Sequence, residues 1–226
     1  MSTGQIENFK IFTIFQDCED EDFKYLLEKR KFCKFKKGEY IVKENTPATG
    51  TFCLEEGSAK VVKRTSLGYD QIVSLAKPGD VFGLHCIINE TVFNVSAISL
   101  EDTCGCFIAR TDLFMIFDKR PSVKLSVMKA LCNKMDEIEN KIATITQKPV
   151  EERVRTLILT LYQNFGLDES QSLNLNITRE EFANIAHVRR TSLNRILNQL
   201  KRQGIIDLKN KMIQILDIDA LMAPAI

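Results

Sequence analysis

The sequence predicts an α+β chain in three parts: a sandwich or barrel of short strands, a long helix, and a winged helix-turn-helix. Three observations predict it. From Phe32 to Arg110, short runs rich in Val, Ile, Phe and Thr alternate with turn residues. From Pro121 one apolar stripe continues at spacings of 3 and 4 over about two and a half heptads. Beyond Ile177 the pattern becomes helix, tight turn, cationic helix, then two short apolar strands.

The first ordered element is expected at residues 17–37, a helix followed by a strand. "DCEDEDFKYLLEKRK" opens with Asp17, Glu19, Asp20, Glu21 and Asp22 and then turns basic, which suits the helix dipole. It reads as a solvated amphipathic helix. The strands that follow are "YIVKE", "TFCLEEG", "AKVVKRT", "QIVSLA", "VSAISL" and "TCGCFIA". Gly38, Gly57, Gly68, Pro78-Gly79 and Asn89 punctuate them, and "SLGYD" reads as a hairpin tip. Many short strands at this spacing argue for a sandwich or barrel rather than a parallel sheet.

Pro121 suits the first turn of the long helix. Met128, Leu131, Met135, Ile138, Ile142 and Ile145 form its stripe, flanked by Lys134, Asp136, Glu137, Glu139, Asn140 and Lys141. A seam that narrow predicts a partner helix rather than a broad core face. Pro149 ends the helix, and "PVEERVRTLILTLYQNFG" starts another that stops at Gly166.

Thr178 and Glu181 form a capping box at the start of the next helix. Phe182, Ile185 and Ala186 supply its inward face. The break falls at His187-Val188, where histidine tolerates a left-handed turn. The second helix starts at Arg190 or Thr191 and ends at Gly204. Leu193, Ile196, Leu197 and Leu200 pack inward, while Arg189, Arg190, Arg195, Lys201 and Arg202 have no carboxylate beside them in sequence between Phe182 and Ile206. The strands of the wing flank Lys209-Asn210-Lys211. A cationic second helix after a short turn matches a major-groove reader. Its first turns reach bases and phosphates, so Arg189, Arg190, Thr191, Ser192, Asn194 and Arg195 are candidate DNA contacts, joined by Thr178 at the start of the preceding helix and by Lys201, further along, as a phosphate contact.

Composition sets bounds. The formal net charge is +1 over 226 residues, so any anion-binding face must be local. No apolar run approaches membrane-spanning length, and "MSTGQIENFK" lacks the apolar core of a secretory signal. Seven cysteines in a chain of this size imply reduced thiols and a cytoplasmic protein, and all seven read as buried structural thiols. No Gly-rich phosphate loop, paired acid/base carboxylates or Ser-His-Asp set appears, so an enzyme has no chemical support.

"GEYIVKEN", "GTFCLEEGSAKV", "LAKPGDVFG", "KPVEERV" and "ITREEFANIAHVRRTSLNRIL" together resemble the catabolite-activator/fumarate-nitrate regulator family of bacterial transcription factors. The resemblance covers nearly the whole chain. It implies a double-stranded β-helix, the jelly-roll β-roll of cyclic-nucleotide-binding domains, over residues 1–120. A dimerisation helix over 121–147 and a DNA-binding head over 148–226 complete it. It further implies a homodimer on a palindromic operator, a small effector between roll and helix, and RNA polymerase downstream. Arg195 matches the family's base-reading arginine. Thr191 stands where many members have a glutamate, so the commonest family operator is not expected.

The candidate effector pocket is Gly83, Leu84, His85, Asn94, Val95 and Ser96. Cyclic-AMP binders of the family place a glutamate where this chain has Leu84, and an Arg-Ser pair where it has Asn94-Val95. A buried phosphate without its arginine is costly, so cyclic AMP is not expected. Oxygen sensors carry a tight N-terminal cysteine cluster; Cys18 and Cys33 are isolated, so no iron–sulfur cluster is expected. Cys104 and Cys106 fall on one face of a strand. His85, read as lying near a strand end, matches the axial histidine of a haem member. A haem-based gas or redox sensor is therefore one alternative, with His85 as the one metal ligand. An uncharged organic effector or a thiol switch is the other. In a different class, a roll alone would be a ligand-binding module without DNA function.

Overall fold

The computed structural model describes residues 11–209 and 212–223. They form two compact units, one up to Ile138 and one from Glu139.

In the first unit a 3₁₀ turn at Thr13–Phe15 leads into α1 (Asp20–Lys29). Six strands follow: β1 (Lys31–Phe35), β2 (Tyr40–Val42), β3 (Gly50–Glu56), β4 (Ala59–Arg64), β5 (Asp70–Ala76) and β6 (Val81–Phe82). Then come α2 (Leu84–Ile88), β7 (Ser96–Ser99), β8 (Thr103–Ala109) and α3 (Arg110–Lys119). The strands make two antiparallel sheets, ordered β1-β8-β3-β6 and β2-β7-β4-β5. That interleaving is the jelly roll. The "SLGYD" tip closes where the Tyr69 carbonyl accepts from Thr65 N–H at 2.8 Å.

β3 shows why the strands read as continuous apolar runs. Phe52 and Leu54 pack with Val42, Val61, Phe82 and Ala97 on one face. Cys53 packs on the other, with Phe12, Phe23, Leu113 and Ile116 from the flanking helices. A strand buried on both faces loses the polar half of its alternation. Opposite it, a Cβ on Gly105 would lie 2.1 Å from the Cys53 carbonyl oxygen, so no larger residue fits there.

Two expectations need correction here. The acidic helix is not simply solvated: Asp22 is fully buried, 2.8 Å from Arg120 Nε and 3.1 Å from Lys119 Nζ. Burial alone would raise its pKa. The Lys119 hydrogen bond, the Glu19 N–H and both cations more than offset this and hold it below the usual carboxylate range. The cysteines are not uniformly buried either. Cys53, Cys86 and Cys106 are; Cys18, Cys33 and Cys104 are half-buried, and Cys132 is exposed. Burial and the nearby Asp22 charge push the Cys18 thiol up to about 12, which makes it a poor nucleophile.

The boundary between the units falls within α4 (Pro121–Gln147). The second unit continues with α5 (Val150–Phe165), α6 (Arg179–Ile185) and α7 (Arg190–Arg202). The antiparallel wing β9 (Ile206–Lys209) and β10 (Met212–Ile215) follows, then α8 (Ile218–Met222). Asn210 and Lys211, at the expected wing tip, lie outside the described residues. Gly166 and Gly204, at φ +69° and +72°, supply the left-handed residues that end α5 and α7. The unit's core is built from Val154, Ile158, Leu161, Phe182, Leu193, Ile196, Leu197, Leu200, Ile206, Ile213 and Leu221. A buried polar contact cross-braces it. Arg155 donates to the Ala220 carbonyl at 2.9 Å and to Glu151 at 3.2 Å, and Glu151 accepts from Gln199 at 3.1 Å. α5 is thereby tied to both α7 and α8. No helix among the described residues is long and apolar enough to cross a membrane.

Candidate nucleic-acid interface and effector region

The helix-turn-helix starts at Thr178. Its hydroxyl accepts from Glu181 N–H at 3.1 Å, and the Glu181 carboxylate accepts from Thr178 N–H at 2.8 Å. The reciprocal box fixes the first turn of α6. His187 adopts φ +53° at the turn. Val188 N–H then returns to the Ala183 carbonyl at 3.0 Å, and α7 begins at Arg190 with Arg189 as N-cap.

The two faces of α7 differ sharply. Leu193, Ile196, Leu197 and Leu200 are at most 1 % exposed. Arg189, Arg190, Thr191, Asn194, Arg195 and Lys201 are exposed, Ser192 is half-buried, and Thr178 is exposed at the start of α6. The cations are not all uncompensated, as the local sequence suggests. Arg190 lies 3.5 Å from Glu180, and Lys201 lies 2.7 Å from Asp207, a residue just past the charge-free stretch. The Lys201 hydrogen bond and the Leu208 N–H hold the Asp207 carboxyl below its usual range. Asn198, one turn beyond Arg195 and exposed on the same side, belongs with the candidate contacts. Its i+3 and i+4 spacing from Arg195 and Asn194 was the available signal.

The long helix leaves its stripe bare. Met128 is 62 % exposed, Met135 61 %, Ile138 52 % and Ile142 56 %; Leu131 and Ile145 are half-buried.

In the first unit, the structure gathers the effector candidates at the start of α2 and of β7. Gly83, at φ +82°, caps α2, and a Cβ there would lie 2.4 Å from the Phe93 ring. Leu84 points into the core. His85 is an exposed residue of the five-residue helix α2, not of a strand end. Its Nε2 lies 3.1 Å from Asn94 Oδ1 and 3.2 Å from Cys86 Sγ. Val95 is half-buried. Ser96 Oγ accepts from Glu44 N–H at 2.9 Å. The nearby cation is already engaged: Lys63 Nζ donates to Glu44 Oε1 and to the Asn94 carbonyl, both at 2.5 Å. That hydrogen bond, followed by the Arg64 N–H, holds the Glu44 carboxyl below its usual range.

The comparisons with known proteins match both units. The cyclic nucleotide-binding domain family matches residues 32–120, and the Crp-like helix-turn-helix domain family matches residues 152–223. The chain belongs to the Crp/Fnr family of regulators. It is similar to the transcriptional activator protein anr of Pseudomonas aeruginosa, 26 % identical over 84 % of this chain and 78 % of that protein. It is similar to a CRP-like cAMP-activated global transcriptional regulator of Mycobacterium tuberculosis, 24 % identical over 92 % of this chain and 94 % of that protein. In fold it resembles FixK2 from Bradyrhizobium japonicum, with a TM-score of 0.76 at 23 % identity over 87 % of this chain and 99 % of that chain. This Crp/Fnr chain is accordingly a DNA-binding transcription regulator and not an enzyme.

Proposed function

We propose that the chain acts as a two-fold homodimer joined through α4. α7 of each protomer enters successive major grooves of a palindromic site, and an uncharged small molecule bound in the roll sets the response. In this reading residues 1–120 sense, 121–147 join and 148–226 bind DNA. It acts in the cytoplasm, with RNA polymerase downstream. The observation that carries the reading is the bare stripe of α4. Four large apolar side chains at heptad spacing stand more than half exposed on one helix. Burying the exposed half of each of them would stabilise a dimer by about 1 kcal/mol.

Arg189, Arg195 and Arg202 have no carboxylate partner among the described residues and remain available to phosphate and base edges. The effector region supports an uncharged ligand. Lys63 is spent on Glu44, no arginine stands at Asn94-Val95, and Leu84 is buried where a ribose-binding carboxylate would be needed. The exposed His85, with its Nε2 facing Asn94 and Cys86, gives haem no favoured seat. Sedimentation velocity of the purified chain tests the reading directly. A dimer at micromolar concentration is expected; a monomer at every concentration overturns it. Mass spectrometry of co-purified small molecules then identifies the ligand class.

A further inference from the structure

One guanidinium in the second unit holds two backbone carbonyls that the helices leave over. Arg153 Nη1 donates to the Ile145 carbonyl at 2.9 Å, and Nη2 donates to the His187 carbonyl at 3.1 Å. The first acceptor is orphaned by chemistry. The helical partner of Ile145 would be the N–H of residue 149, and Pro149 has none. The carbonyl before it, Thr144, is taken normally by Lys148 N–H at 3.1 Å. The second acceptor lies in the turn of the helix-turn-helix, on the left-handed residue, three positions before the first helical residue of α7.

Arg153 is set for this task by α5, one turn past its start, where its own N–H donates to the Pro149 carbonyl at 3.1 Å. Its Nε is buried without a partner, so the side chain's hydrogen bonds are concentrated in the two terminal nitrogens. A planar fork that bridges two carbonyls fixes direction as well as distance, which a lysine's single ammonium does not.

We propose that Arg153 is a positioning residue that locks the turn before α7 to the C-terminal turn of α4. The bearing of the DNA-reading helix is then set from the helix that carries the seam. Ile145 belongs to that seam, so the link runs from the joining surface to the reading head through one side chain. The inference rests on the proposed dimer and its palindromic site.

The experiment uses duplexes with the half-site spacing varied in single base-pair steps, built on the site that the full wild-type chain selects from a randomised pool. Wild type should bind one spacing best. Arg153→Lys and Arg153→Gln should remain dimers by sedimentation, lose at least tenfold in affinity at the best spacing, and bind the neighbouring spacings within about threefold of it. A merely destabilised head would weaken all spacings in proportion. Retention of the wild-type spacing profile by a folded variant overturns the proposal, whatever the affinity. If both variants fail to fold, Pro149→Ala decides. It offers Ile145 a helical donor in competition with Arg153, and the spacing profile should flatten; a sharp profile overturns the proposal. If wild type itself selects no palindrome, the dimer reading fails instead.

Discussion

The reading helix and the effector region treat charge in opposite ways. At α7, Arg195, Arg202 and the N-cap Arg189 face solvent with no carboxylate partner among the described residues, while Arg190 and Lys201 are paired. Around His85 and Asn94 the charges are closed on one another. Lys63 is held by Glu44 and a backbone carbonyl, Glu44 also accepts from Arg64 N–H, and Arg110 is paired with Glu90. An anion brought to α7 displaces water. An anion brought to the roll has to compete with carboxylates already placed on these cations. The difference is the basis for the proposal that this molecule meets phosphate at the head while the roll takes an uncharged ligand.

The comparison can be broken at four points. The largest effect is expected from Ile138→Glu, which places two carboxylates in the centre of the proposed seam. Burying them unpaired costs several kcal/mol, so sedimentation should show monomer, and site-specific DNA binding should fall with it. Arg195→Ala removes a free cation from the middle of the reading face. It should cost about 1–3 kcal/mol on the selected site and relax preference at one position per half-site. An unchanged selected sequence would show that another residue reads that base.

Thr178→Ala removes one half of the capping box at the start of α6. The head should lose about 1 kcal/mol by thermal unfolding, with the selected sequence unchanged. The smallest effect is expected from Lys201→Ala. Because Asp207 already neutralises this lysine, the salt slope of DNA binding should fall by less than about one. A drop of a full unit would mean that DNA displaces Asp207, and would move Lys201 into the set of free cations.

The head was legible in the sequence because its signals are local. Thr178 and Glu181 are three residues apart, His187 marks its own turn, and the apolar stripe of α7 needs no partner to be read. The same locality explains what was misjudged. Lys201 looked free because Asp207 stands six residues on, across the turn into β9, and Arg190 meets Glu180 only through the fold of the preceding helix. The roll was legible as strands but not as a site. β6 is two residues long, α2 is five, and α3 follows β8 with no turn residue between, so none stood out by period. Asp22 looked like one acid among five; its burial depends on Lys119 and Arg120, about a hundred residues away. Cys132 looked like any other cysteine until its helix placed it in solvent.

The central claim is that two copies of α7, carried on one two-fold axis, read DNA. Selection of bound duplexes from a randomised pool at two salt concentrations, followed by sequencing, tests it most directly. The account predicts a palindrome whose half-sites lie about one helical turn apart, roughly 34 Å, with the bound fraction shrinking as salt rises. Enrichment of a single unrepeated half-site, or no enrichment at either salt concentration with cell extract supplied as a source of effector, would contradict it.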